Sequence, residues 1–160
     1  MLSNTYWMRC AIELAKKAAS KNEVPVAALL IQNDLIVAQA FNQVEKQQNP
    51  LAHAEILVLQ EFTTRSMNKW SKDLKLVVTM EPCLMCYGAI ILARIQYLVY
   101  GATDLNAGFS TFIRNRTELN HVPYIIPCVE EEACAGLLKE FFKAKRRGAR
   151  VVEGGGLENR

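Results

Sequence analysis

The 160-residue sequence has no uninterrupted apolar run long enough to cross a membrane. Its most apolar late stretch, residues 87–100, is broken by Arg94 and Gln96. It falls short of the ~20 apolar residues a span needs. Residues 1–24 carry Arg9, Glu13, Lys16, Lys17, Lys21 and Glu23, so no secretion signal is legible there. A soluble cytoplasmic protein, not bound to a membrane, is expected. Glycine and proline, at 8 and 5 residues, are too few for collagen. The sequence is 51% hydrophobic and 22% charged, which excludes wholesale disorder. No internal repeat is present. Histidine is scarce: only His53 and His121 occur. The five cysteines are odd in number, which argues against a disulfide framework. Cys10, Cys128 and Cys134 read as small buried hydrophobes. Only Cys83 and Cys86 are spaced like ligands.

What is present fits one domain of ordinary composition, long enough to bury a core without staples. Residues 5–20 repeat apolar side chains at helical spacing, with Asn4 or Thr5 as candidate caps. Residues 26–32 and 35–40 flank Asn33-Asp34 and predict a β-hairpin. Residues 43–49 read as loop. Helices are expected over 53–64, from Pro82 to about Ala93, and from Glu130 to about Arg147. Strands are expected over 74–80 and 95–100, with a short one over 124–128. Residues 101–122 are ambiguous. Alternating helices and strands predict a single three-layer α/β/α domain around a mixed sheet of about five strands. It would occupy residues 1–150, with 151–160 as a flexible tail.

The net charge of +3 is unevenly spread. Residues 139–150 hold six basic residues and one acid, a local +5, which leaves −2 for the other 148. Phe141, Phe142, Lys143, Lys145, Arg146 and Arg147 lie in or beside this stretch, at the end of the last helix. Basic residues near a helix C-terminus favour its dipole, so solvated helix capping is the simplest reading. Cations also bind phosphates, and aromatic faces stack bases, so RNA is the alternative.

Two motifs carry chemistry: His53-Ala54-Glu55 and Pro82-Cys83-Leu84-Met85-Cys86. Each falls at a predicted helix start. Cysteines three apart share one helix face, and a helix start favours their thiolates. Two thiolates and the His53 imidazole suit zinc and leave its fourth position open, as in catalytic sites. Glu55 is placed to shuttle protons for a water at that position. A lone CxxC would equally suit a redox pair or half a structural zinc site. The 27-residue separation of Glu55 and Cys83 instead allows a helix, a loop and a strand, bringing both helix starts to one sheet edge.

His-Ala-Glu followed by Pro-Cys-x-x-Cys is the signature of the zinc-dependent nucleoside and nucleobase deaminases. Residues 4–147 resemble the bacterial tRNA-specific adenosine deaminases in particular. The resemblance rests on Tyr6-Trp7-Met8, Asn22 to Val26, Asn49 to Glu55, Thr79 to Cys86, Tyr100-Gly101-Ala102 and Phe141-Phe142. It implies a cytidine-deaminase-like fold and one zinc per subunit. It implies hydrolysis of adenosine to inosine at the wobble position of a tRNA anticodon loop. It also implies substrate contacts at Asn42 and at residues 102–104, namely Ala102 and Asp104. It implies a homodimer joined through the helices after His53 and Cys83. Two departures stand out. Ala27 replaces the family's usual glycine, and Asn106 replaces a lysine in the loop after Asp104. Two other functions remain open: deamination of a free base or nucleotide (guanine, cytosine or deoxycytidylate), and a non-catalytic zinc-containing RNA-binding protein.

Overall fold

The computed structural model describes residues 1–158, of which 150–158 are described by backbone alone. Six helices and five strands follow in the order α1(Asn4–Ser20) β1(Ala27–Gln32) β2(Leu35–Phe41) α2(Val44–Gln47) α3(Ala54–Ser66) β3(Lys75–Met80) α4(Leu84–Leu92) β4(Tyr97–Ala102) α5(Phe109–Phe112) β5(Tyr124–Ile126) α6(Glu131–Glu158). The sheet order is β2-β1-β3-β4-β5. Strands β2, β1 and β3 pair antiparallel, whereas β3, β4 and β5 run parallel. Successive strand residues point to opposite faces, and this alternation builds two cores. Leu30, Leu76, Val78, Leu98 and Tyr100 pack with α3 and α4. Leu29, Val77 and Val99 pack with α1 and α6 through Trp7, Met8, Ala11 and Cys134. The expected three layers and mixed sheet are therefore observed.

The hairpin forms because Asn33 and Asp34 both take left-handed φ values, 51° and 56°. That backbone twist matches paired antiparallel strands. Elsewhere the structure departs from expectation. The cap of α1 is Ser3, whose hydroxyl accepts the Tyr6 N–H at 3.1 Å, rather than Asn4 or Thr5. The loop expected over 43–49 contains α2, and the ambiguous 101–122 stretch contains α5. Helix α6 continues to Glu158 instead of ending near Arg147. No glycine among the described residues takes the left-handed φ that would close a helix there. Of the expected tail, residues 159–160 lie outside the described residues. No described helix is long and apolar enough to cross a membrane.

Candidate active site

Register places the start of β1 beside the ends of β2 and β3, and the end of β4 beside that of β3. Both signature motifs emerge at this edge. His53 caps α3 and Cys83 caps α4, each with extended backbone. Their carbonyls accept the first helical N–H groups, from Leu57 at 3.0 Å and Tyr87 at 2.8 Å. Neither side chain makes a cap hydrogen bond, so both are free for other use. Cys86 follows in the first turn of α4.

His53 Nδ1 lies 3.7 Å from Cys83 Sγ and 3.5 Å from Cys86 Sγ. All three donor atoms fall within 4.8 Å of one another. Ordinary zinc bond lengths in a tetrahedron separate nitrogen and sulfur ligands by about 3.6 Å. The three residues therefore fit zinc without rearrangement. Hydrogen bonds from Cys86 and His53 pull the Cys83 thiol down to about 4. The Cys83 sulfur raises both His53 and Cys86 in return. The lowering favours the Cys83 thiolate, and both sulfurs are thiolates when they ligate metal.

Glu55 sits in the first turn of α3, 4% exposed, and burial pushes its carboxyl above the ordinary carboxylate range. That direction suits a proton carrier working near neutral pH. Glu55 lines a cavity of about 240 Å³ together with His53, Cys83, Asn42, Asp104 and Met80.

Two further buried carboxylates, Glu23 and Glu81, brace the walls of this cavity. Glu23 accepts the Lys46 N–H at 2.7 Å, the Glu45 N–H at 3.1 Å and Asn42 Nδ2 at 3.4 Å. It thereby fixes the Asn42 amide and the start of α2. Glu81 accepts the backbone N–H groups of Asp104 and Ser110, both at 3.0 Å. The Phe109 N–H donates to the Pro82 carbonyl at 2.9 Å, and Gly108 bridges Cys83. The loop carrying Asp104 and Ala107 is thus fastened to the turn carrying Cys83. Neither acid is ion-paired among the described residues. Sequence reading missed both roles, because every partner lies at least 19 residues away. The only local hint was a lone acid near proline in an apolar run.

The family model for the cytidine and deoxycytidylate deaminase zinc-binding region matches residues 1–102. The tRNA-specific adenosine deaminase of Bacillus subtilis (strain 168) is 39% identical over 151 residues, covering 92% of this chain and 93% of that one. The enzyme of the same name from Aquifex aeolicus (strain VF5) is 38% identical, covering 91% and 97%. The chain belongs to the tRNA-specific adenosine deaminase family. Among solved structures, one from work on A-to-I editing by tRNA:A34 deaminases at the wobble position superposes with a TM-score of 0.77. It is 32% identical over 84% of this chain and 99% of that one. A guanine deaminase from Nitrosomonas europaea also gives 0.77, at 26% identity over 88% and 85%.

The deaminase does not gather all the expected residues at one place. Asn42, His53, Glu55, Cys83 and Asp104 line the cavity, and Cys86 turns its sulfur toward His53. Ala102, expected among the substrate contacts, is not among the residues lining the cavity. This residue ends β4 on the α1/α6 face, and its carbonyl accepts the Glu81 N–H at 2.8 Å. Ala107 lines the cavity instead and was not singled out from sequence. Phe141, Phe142, Lys143, Lys145, Arg146 and Arg147 lie along α6, outside the cavity. All are exposed except the half-buried Phe141, over whose ring Lys145 Nζ lies at 5.0 Å.

The deaminase offers a direct test of its loop. A Cβ at Gly108 would overlap the Asp104 carbonyl and the Glu81 carboxylate. Gly108→Ala is expected to lower kcat/KM about tenfold or more and to leave zinc content unchanged, since overpacking costs ~1–3 kcal/mol. Unchanged kcat/KM would mean that the position of this loop does not matter to the reaction.

Proposed function

We propose that this chain converts adenosine to inosine at the wobble position of a tRNA anticodon, acting as a cytoplasmic homodimer. The observation that carries the reading is buried Glu55 sharing one cavity with the His53, Cys83 and Cys86 cluster. A purely structural zinc site has no use for that carboxylate. Zinc, when held by those three residues, supplies the Lewis acidity that makes water a nucleophile near neutral pH. Glu55 takes a proton from the water attacking C6 of adenine. It passes that proton to the ring nitrogen, then carries the proton of the hydroxyl now on C6 to the amine, which leaves as ammonia as the C6 carbonyl forms. Asn42, held by Glu23, and Asp104, held through Glu81, line the cavity and orient the nucleoside.

RNA recognition favours single-stranded loops whose bases are splayed out, and an anticodon loop is one. The exposed cations of α6 supply phosphate contacts, and Phe142 supplies an aromatic face. Helix α4 carries no charge, and Leu92 on it is 78% exposed, which suits burial against a second copy.

Incubation with an arginine tRNA bearing adenosine at the wobble position is expected to yield inosine there. Free adenosine, cytidine and guanine run alongside should stay unchanged. Turnover of guanine without turnover of tRNA would replace this reading by free-base deamination. Changing Arg146 and Arg147 together to alanine is expected to weaken tRNA binding and flatten its dependence on log salt by about two units, with zinc retained. An unaltered salt slope would leave these arginines as helix caps.

A further inference from the structure

A second cavity, of about 590 Å³, opens at the opposite end of the strands from the zinc ligands. Roughly 17 Å of strand separates the two edges, given the length of β3. Asp73, Gln96 and Tyr124, at or just before the starts of β3, β4 and β5, contribute to its lining. No residue of the deamination chemistry reaches it.

Asp73 and Arg94 both line the cavity and both hold left-handed backbone, at φ 59° and 55°. At Arg94 this conformation closes the end of α4, where the Arg94 and Ile95 N–H groups donate to the Ile91 and Ile90 carbonyls at 3.0 and 3.2 Å. Three observations converge at this cavity. The Arg94 guanidinium lies 4.3 Å from the centroid of the Trp70 ring, and Lys69 Nζ lies 4.8 Å from it. The indole is anchored by its N–H, which donates to the Leu92 carbonyl at 3.3 Å. Lys69, Lys72, Asp73 and Arg94 form no ion pairs among the described residues, and the three cations outnumber the single acid, Asp73. Finally, Trp70 is 50% exposed and Tyr124 68% exposed, leaving aromatic surface beside those cations. His121 adds a polar group. Its Nε2–H donates to the Ile95 carbonyl at 2.6 Å, so Nδ1 is the acceptor of the neutral ring.

Aromatic surface plus an excess of cations is the chemistry that holds a base and its phosphate together. We propose that this cavity is a second nucleotide site, one that binds a base through Trp70 and Tyr124 and its phosphate through Lys72 and Arg94. It performs no chemistry. Its ligand is either a free nucleotide or one nucleotide of an RNA strand.

Tryptophan fluorescence reads this site, because the only other tryptophan, Trp7, is buried and none lines the catalytic cavity. Adenosine monophosphate and a short oligoadenylate are titrated separately. At least one should give a saturable change that weakens steeply with salt and disappears in Trp70→Phe. Response to both assigns the site to free nucleotides, and response to the oligomer alone assigns it to RNA. Lys72→Ala and Tyr124→Ala, both at exposed positions, should each weaken binding about tenfold. Their zinc content, and their deamination rate at saturating tRNA, should match the parent protein. No saturable change with either probe overturns the proposal, as does adenosine binding as tightly as its monophosphate. Undiminished affinity in both variants overturns it too.

Discussion

Glu55→Ala is expected to keep one zinc per chain and to lose deamination by about 10³-fold or more. Positioned acid–base groups contribute about 10²–10⁴-fold. Glu55 is proposed to move every proton of the reaction, so the upper part of that range applies. The two thiolates raise the demand further, because they neutralise zinc's formal charge and weaken its pull on a bound water. Of the other acids lining the cavity, Glu81 and Asp104 are already engaged and Glu45 is solvent-exposed, so Glu55 is the buried acid left to carry protons. Glu23 and Glu81 already accept backbone N–H groups, and Asp104 accepts those of Asn106 and Ala107. Metal analysis and single-turnover kinetics on the same sample decide the matter. Near-normal turnover would remove Glu55 from its role, and lost zinc would make it a ligand.

Cys83→Ala is expected to reduce zinc content to near zero and to lower the melting temperature. Cys83 and His53 lie 30 residues apart in sequence and cap different helices. A metal held between them ties α3 to α4, and binding to the folded state alone stabilises it by mass action. Chelation should therefore lower the melting temperature of the parent protein to about that of the variant, and should leave the variant unmoved. Stoichiometric zinc in Cys83→Ala would contradict the ligand set.

The zinc motifs were legible because their chemistry is local. Pro82 announces a helix start, and the two cysteines stand a fixed three residues apart. The structure refines this by making Cys83 the cap of α4 instead of a residue within its first turn. Short apolar runs bounded by turn residues likewise exposed β1, β2, β3 and β4 within a residue or two of their observed ends. Helix α2 was illegible for the opposite reason. Its four residues are too few to show periodicity, and its first N–H groups are satisfied by Glu23, more than 20 residues away. Glu81 escaped notice in the same way, since its meaning depends on a loop that only the folded chain brings near. The α6 cluster was visible as charge and aromatics, whereas its exposure and its place outside the cavity required coordinates.

The match to the zinc-binding family ends at residue 102, the last residue of β4. After that point come the Asp104 loop, α5, edge strand β5 and helix α6, with α5 packing on the α3/α4 face and α6 on the α1 face. The reactive groups lie on one stretch of chain, and many of the groups expected to choose a substrate lie on the next. Such a layout lets descent with modification rewrite what is recognised while leaving how it is hydrolysed alone. It also marks the junction after Ala102 as a place to graft recognition segments between relatives, provided the Glu81 clasp on the incoming loop is kept.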